Sequence, residues 1–398
     1  MSPGTLSARY GKVVLVVGFL LHLQLGIAYS YAVLRPHLER AFDLDGFSAG
    51  LGFSAILVGY TVGMVWGGIW NDRRGPRVVT PVGAFMFGTG FALAGIAPSY
   101  PVFLVAYGGV CGVGTGLAYI AAVQTAVRWH PTRRGTATGA VVLGFGLSSV
   151  FFAPTIHLLA STYGWRTAMV GLGAVFLVAG TALALAVREP EGPRPEAPAS
   201  AEFLGKDPRF RRLWVAWFLV LTVGLAWLGQ LPALGKEYGL SAGAAAYLVS
   251  AVALANGTAR PFLGLLSDRI GRTRCLALAS AVGATTLAAL AVVASPVAVW
   301  VAGFLVGVVF AAWLVNLAPI AAERFGSGSA GRAYGRLFTA YGAGGLIGPP
   351  LLGAVVQAGG GHRPGLLLSA AVLALGGWAF ATADRIRRTP EVPKSPIV

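Results

Sequence analysis

Residues 68–75 read GIWNDRRG, and residues 264–271 read GLLSDRIG. Gly68, Asp72, Arg73 and Gly75 of the first stretch recur as Gly264, Asp268, Arg269 and Gly271 of the second, each displaced by 196 positions. The same displacement carries Gly135, Ala137 and Gly139 onto Gly331, Ala333 and Gly335, Gly146 onto Gly342, and Pro154 onto Pro350. One offset sustained over so long a stretch is an internal repeat, and it divides the chain into two homologous halves.

Both copies lie between long apolar runs. The chain has 398 residues, 56% hydrophobic and 11% charged, with a mean hydropathy of +0.72. A soluble domain carries about 25% charged residues, so the composition is that of a membrane protein. Crossing the hydrocarbon layer takes about 20 apolar residues. Twelve such runs are predicted, at residues 12–34, 48–69, 78–97, 101–127, 136–160, 165–187, 211–235, 242–266, 275–294, 297–321, 332–357 and 364–384. They are called helix 1 to helix 12 in chain order. The expected fold is all-α, with two six-helix bundles spanning 1–187 and 211–398 and a cytoplasmic linker at 188–210 that is rich in Pro, Glu and Arg. Two such bundles in the same orientation, with a site near the midplane between them, describe a transporter built for alternating access.

The net charge of +16 raises the question of a nucleic-acid partner. Its distribution answers that question. Of the 30 Lys and Arg residues, 24 fall in the loops that share a side with the N-terminus, five fall in the opposite loops, and the last is Arg260. This bias places both termini in the cytoplasm. The basicity is thus topological, and no basic face remains for nucleic acid. The first run, Val13 to Leu34, is too long for a signal-peptide core. Cys111 and Cys275 imply no disulfide framework. His37, His130, His157 and His362 are scattered over helix ends and loops, so no cluster at one depth points to a membrane-embedded enzyme, and no metal or cofactor is expected.

Arg260 stands inside helix 8, eight residues before Asp268. That is about 12 Å along a helix in a layer about 30 Å thick, close to the midplane. A charge there costs at least about 2.5 to 3.5 kcal/mol and needs a partner or a wet cavity. No Asp or Glu lies in the middle of any predicted helix. An anionic substrate would supply the counter-ion, and a guanidinium offers paired donors matched to a carboxylate. The competing reading is a structural Arg bonded to backbone carbonyls. Asn256, one turn earlier, shares its helix face. His22, near the middle of helix 1, is either a group that titrates or one simply hydrogen-bonded in place.

The loop pattern GxxxDRxG after helix 2, repeated after helix 8, resembles the signature loop of the major facilitator superfamily. GIAYSYAVLRPHLERAF in helix 1, NDRRGPR after helix 2, RWHPTRRGTATGAVVLGFG entering helix 5, DPRFRRLW entering helix 7 and LFTAYGAGGLIGP in helix 11 extend the likeness. Together they resemble the bacterial branch of the monocarboxylate porters, which includes oxalate:formate antiporters and lactate or pyruvate transporters. The resemblance implies a prokaryotic cytoplasmic-membrane protein, expected to work as a monomer, with the lipid bilayer, a small monocarboxylate and H+ as its partners.

The same resemblance assigns the two loops a gating role, helix 2 with helix 11 and helix 8 with helix 5. The gate set is then Asp72, Arg73, Asp268 and Arg269, with Arg133, Arg134 and Arg332 as candidate partners. The plainer reading of these loops is turn chemistry at a topological anchor. Animal relatives usually carry an acid where this chain has Asn256, and a Lys in helix 1 that this chain lacks, which leaves His22 as the candidate proton carrier. The oxalate exchangers carry a second cation where this chain has Tyr341. One buried cation fits one carboxylate, since a second would be buried uncompensated. Tyr29, Tyr119, Trp313, Phe338 and Tyr341 match aromatic or polar pocket positions of the resembling transporters, though each could equally be a packing residue. The expected function is proton-coupled monocarboxylate transport. Anion exchange and a carboxylate-sensing receptor are the alternatives.

Overall fold

The computed structural model describes residues 3–190, 205–359 and 361–385, and every regular element among them is helical. Helices stand at each of the twelve expected places. Helix 1 runs as Pro3–Leu25, a 3-10 turn Gly26–Ser30 and Tyr31–Phe42. Helix 2 is Gly46–Arg74, helix 3 Pro76–Gly95, and helix 4 Tyr100–Phe103, Leu104–Cys111 and Gly112–Trp129, the middle piece being π-helical. Helix 5 is Arg134–Tyr163, and helix 6 runs through Trp165–Val175, Phe176–Gly180 and Thr181–Leu185. Then come helix 7, Pro208–Glu237, helix 8, Ala242–Ile270, and helix 9, Arg272–Val292. Helix 10 is Pro296–Phe325, helix 11 Ala330–Ala358 and helix 12 Arg363–Arg385.

Local chemistry sets the ends. Asp45 caps helix 2 by accepting from the Ser48 N–H at 2.7 Å, and Ser241, its mate in the repeat, caps helix 8 by accepting from the Ala244 N–H at 3.2 Å. Gly75 and Gly271 take φ of 78° and 88°, turning the chain sharply after each DR pair where a side chain would be strained. Helix 7 starts at Pro208 rather than near Phe210, because Asp207 caps it through the Arg209 N–H at 2.8 Å and proline suits the first helical position. The middle of the expected linker, 191–204, lies outside the described residues.

Among the described residues, ten helices are long and apolar enough to cross a membrane by length and composition. Near its centre helix 8 carries the polar residues Asn256, Thr258 and Arg260, followed by Pro261. Large apolar side chains such as Trp66, Val105, Phe151, Phe262 and Trp378 point outward, as hydrocarbon requires. The first and last six helices meet along two pairs, helix 2 with helix 11 and helix 5 with helix 8. Glycines line both contacts. A Cβ on Gly139 would lie 2.6 Å from the Arg260 carbonyl oxygen, and one on Gly342 would lie 2.8 Å from Thr61 Oγ1. Small residues let the backbones approach this closely.

Candidate substrate site and gate loops

Asp72 leaves helix 2 and meets the start of helix 11, accepting from the Gly331 N–H at 3.1 Å and the Arg332 N–H at 2.8 Å. Asp268 leaves helix 8 and meets the start of helix 5. It accepts from the Gly135 N–H at 2.9 Å and from both the N–H and the hydroxyl of Thr136 at 2.8 Å. The first N–H groups of a helix have no partner within it and carry the positive end of its dipole, so a carboxylate suits both places.

Arg332 is an expected partner whose charge acts on Asp72, and two further guanidiniums join the carboxylates. Arg128, at the end of helix 4, stands 3.8 Å from Asp72, pairs with Glu189 and donates to the Ser327 carbonyl at 3.4 Å. Arg272 pairs with Asp268 at 2.6 Å and with Glu323 at 3.0 Å. Arg332 meets its carboxylate through the main chain, while Arg133 and Arg134 stand at the start of helix 5 beside the Asp268 contact. The helix ends already occupy one side of each carboxylate, so a guanidinium has to come from another neighbour. Arg73 and Arg269 are exposed.

Arg260 is 3% exposed, the one Lys or Arg in the buried class among the described residues. Its Nη1 donates to the Val142 carbonyl of helix 5 at 2.9 Å, and its Nη2 donates to Asn256 Oδ1 at 2.7 Å. Asn256 Nδ2 in turn donates to the Gly307 carbonyl at 3.2 Å. Asn256 therefore holds the guanidinium through Oδ1 while its Nδ2 anchors the amide to helix 10. These bonds use two of five N–H groups, and Nε is buried without a partner. No carboxylate among the described residues pairs with Arg260.

Facing it is an aromatic cluster. The Tyr60 ring lies 4.9 Å from Phe338, 5.5 Å from Tyr119, 5.8 Å from Phe145 and 6.5 Å from Tyr341. Phe338 stacks on Tyr341 at 4.9 Å. Tyr119 and Tyr334 are hydrogen-bonded to each other, and Arg260 acts electrostatically on both Tyr334 and His22. His22 packs its ring 4.5 Å from Tyr119. Donors, hydroxyls and ring faces thus converge between helices 1, 2, 4, 5, 8 and 11. Such a set has the hydrogen-bonding groups and apolar walls that a small organic anion requires.

The sequence matches the family model of the Major Facilitator Superfamily over residues 14–349 and again over 228–397. The chain belongs to the Major Facilitator Superfamily. It is similar to the oxalate:formate antiporter of Oxalobacter formigenes, 30% identical over 72% of this chain and 70% of that protein. It is also similar to monocarboxylate transporter 11 of Homo sapiens, 28% identical over 94% of this chain and 83% of that protein. The crystal structure of the E. coli fucose:proton symporter FucP shares the fold with a TM-score of 0.75 at 18% identity, covering 93% of this chain and 98% of that one. The protein is a multi-pass membrane transporter of this superfamily and not an enzyme.

Within the superfamily fold, the expected pocket residues Arg260, Asn256, Tyr119, Phe338 and Tyr341 come together, with His22 beside Tyr119. Trp313 does not join them. It faces the interior of the last six helices, donating to Ser280 Oγ at 3.2 Å and packing 5.0 Å from Trp217 and 5.4 Å from Phe380. Tyr29 stands in the Gly26–Ser30 turn, and its side chain lies outside the described ones. Sequence reading missed Tyr60, Phe145 and Tyr334. The repeat could have found the first two: subtracting 196 takes Asn256 to Tyr60, Arg260 to Met64 and Tyr341 to Phe145. One side of the site is thus charged where its mate is apolar.

Proposed function

We propose that this transporter carries a small monocarboxylate of the lactate or pyruvate kind across the cytoplasmic membrane of a prokaryote, with a proton, as a monomer. The observation that carries the reading is Arg260, a buried guanidinium with an unpartnered Nε and no carboxylate beside it. A bound carboxylate would neutralise it and take paired hydrogen bonds. Tyr341 stands where a second cation would be needed for a dicarboxylate. Asn256 acts by holding Arg260, and Tyr119, Phe338, Tyr341 and Tyr60 wall the site. His22 is the titratable side chain placed to exchange the proton.

The halves 1–187 and 211–398 would rock about this site. Asp72 and Asp268, with the DR loops around them, would gate its cytoplasmic end, here in the closed arrangement. Similarity to an oxalate:formate antiporter favours anion exchange as the second reading. Uptake of labelled lactate, pyruvate, formate and oxalate into proteoliposomes, with and without a pH gradient, tests both. Uptake driven by an inward proton gradient and lost in Arg260→Lys supports symport. Normal transport by Arg260→Lys refutes the carboxylate role of Arg260, and oxalate binding as tight as lactate refutes the restriction to one carboxylate. Counterflow without net uptake supports exchange, and binding without any movement supports a receptor.

A further inference from the structure

Helix 1 brings His22 to the stretch of helix 5 that Arg260 uses from the other side. A Cβ on Gly18 would lie 2.9 Å from Val141 Cγ2, and Val142 supplies the carbonyl that receives Arg260. The His22 ring is fully buried. Its Nδ1–H donates to the Gly18 carbonyl at 2.8 Å, and this bond sets the tautomer of the neutral ring. Nε2 is then an acceptor, buried and without a partner.

Arg260 offers only N–H groups, and Asn256 is bonded at both ends of its amide. A buried acceptor left unpaired carries a desolvation cost that a ligand donor removes. A 2-hydroxy acid has its donor hydroxyl on the carbon next to the carboxylate. A 2-oxo acid presents a second acceptor there, lone pair against lone pair, and an unsubstituted acid presents nothing.

We infer that His22 reads the 2-hydroxyl of a 2-hydroxymonocarboxylate, making the protein selective for such acids over 2-oxo and unsubstituted acids of the same size. The inference rests on the carboxylate reading of Arg260. In this arrangement Arg260 takes the charge and His22 takes the hydroxyl proton donor, each by the hydrogen-bonding capacity the fold leaves open.

The test is uptake by purified protein in proteoliposomes without a pH gradient, comparing half-saturating concentrations of L-lactate, propionate and pyruvate. The wild type should favour lactate over the other two by about tenfold, the worth of one net hydrogen bond. His22→Phe keeps the ring volume without the acceptor and should abolish the ratio of lactate to propionate affinity, whatever the loss of proton exchange at His22 does to the uptake rate. His22→Gln places an amide oxygen near the position of Nε2 and should retain part of the preference. If His22→Phe does not fold, the stabilisation of His22→Gln and wild type against heat by lactate and by propionate reads the same ratio.

Equal wild-type affinities for lactate and propionate, or an equal loss of all three acids in both variants, would overturn the inference. Arg260→Lys should weaken the three acids alike. A hydroxyl preference that survives beside an unchanged Arg260→Lys would sink the carboxylate reading instead, which keeps the two failures apart.

Discussion

Asp72 and Asp268 occupy equivalent places in the repeat and accept main-chain N–H groups from equivalent helix starts in the opposite half. Their guanidinium partners come from unrelated positions. The repeat mate of Arg128 is Arg324, which lies over the Phe380 ring at 5.0 Å, and the mate of Arg272 is Pro76, the first residue of helix 3. Main-chain donors come with any helix start, so the repeat reproduces that contact. A long flexible cation can arrive from any neighbouring element, so the second clamp differs.

The two gates should therefore respond unequally. Asp268 takes three hydrogen bonds and an ion pair at 2.6 Å, against two bonds and a pair at 3.8 Å for Asp72. Asp268→Asn should disfavour closure by about 3 kcal/mol, and Asp72→Asn by less. Cysteine reporters at the paired buried positions, Ala137→Cys and Ala333→Cys in a background without Cys111 and Cys275, read this as alkylation rates. Equal rates in the two variants would break the comparison.

The glycine contacts give the next largest contrast. A Cβ on Gly146 meets the Gly257 main chain, whereas one on Gly342 meets the Thr61 side chain, which can rotate away. Gly146→Ala should disfavour closure by about 1 to 3 kcal/mol, lowering uptake roughly tenfold or more, with Gly342→Ala milder. Smaller still is the Arg128–Glu189 pair, partly exposed at the edge of the linker. Arg128→Gln should change uptake by a few-fold, and adding Glu189→Gln should recover part of it, because the negative charge that Arg128 balanced is then removed. Equal uptake by the single and double variants would argue against that pairing.

The smallest effect concerns the two helix caps. The Ser48 side chain and main-chain N–H, both bonding the exposed Asp45 carboxylate, hold it below the usual carboxylate range. The contribution is present above the unfolded carboxylate range and is lost as pH falls through the lowered folded value. Ser241 does not titrate. Acidification below about pH 4 should lower the protection of the Ser48 amide against hydrogen exchange, relative to its intrinsic rate at the same pH, but not that of Ala244. Equal loss of protection at both would show that the caps are not the cause.

Much of this was legible in the sequence. Hydropathy located all twelve helices, the repeat offset paired the gate loops, and depth along helix 8 marked Arg260. The rest depended on direction. Trp313 lies in a helix that is apolar all round, where lipid, core and pocket faces read alike. Arg128 and Arg272 were passed over because their distance from the carboxylates in sequence, or one turn along it, says nothing about which way a long side chain folds. Tyr60 needed only the offset to be applied to residues instead of motifs.

The latch on each carboxylate is made of peptide groups, and this limits how it can be undone. Exchanging the side chain at Arg332 leaves its N–H in place, whereas a Cβ on Gly331 would lie 2.6 Å from Asp72 Oδ1 and push the carboxylate away. Proline alone among the natural residues brings no N–H, and the first turn of a helix tolerates it. Arg332→Pro thus offers a way to silence one bolt, together with the Arg332 charge that acts on Asp72, turning a hinge shared by two halves into a handle for engineers.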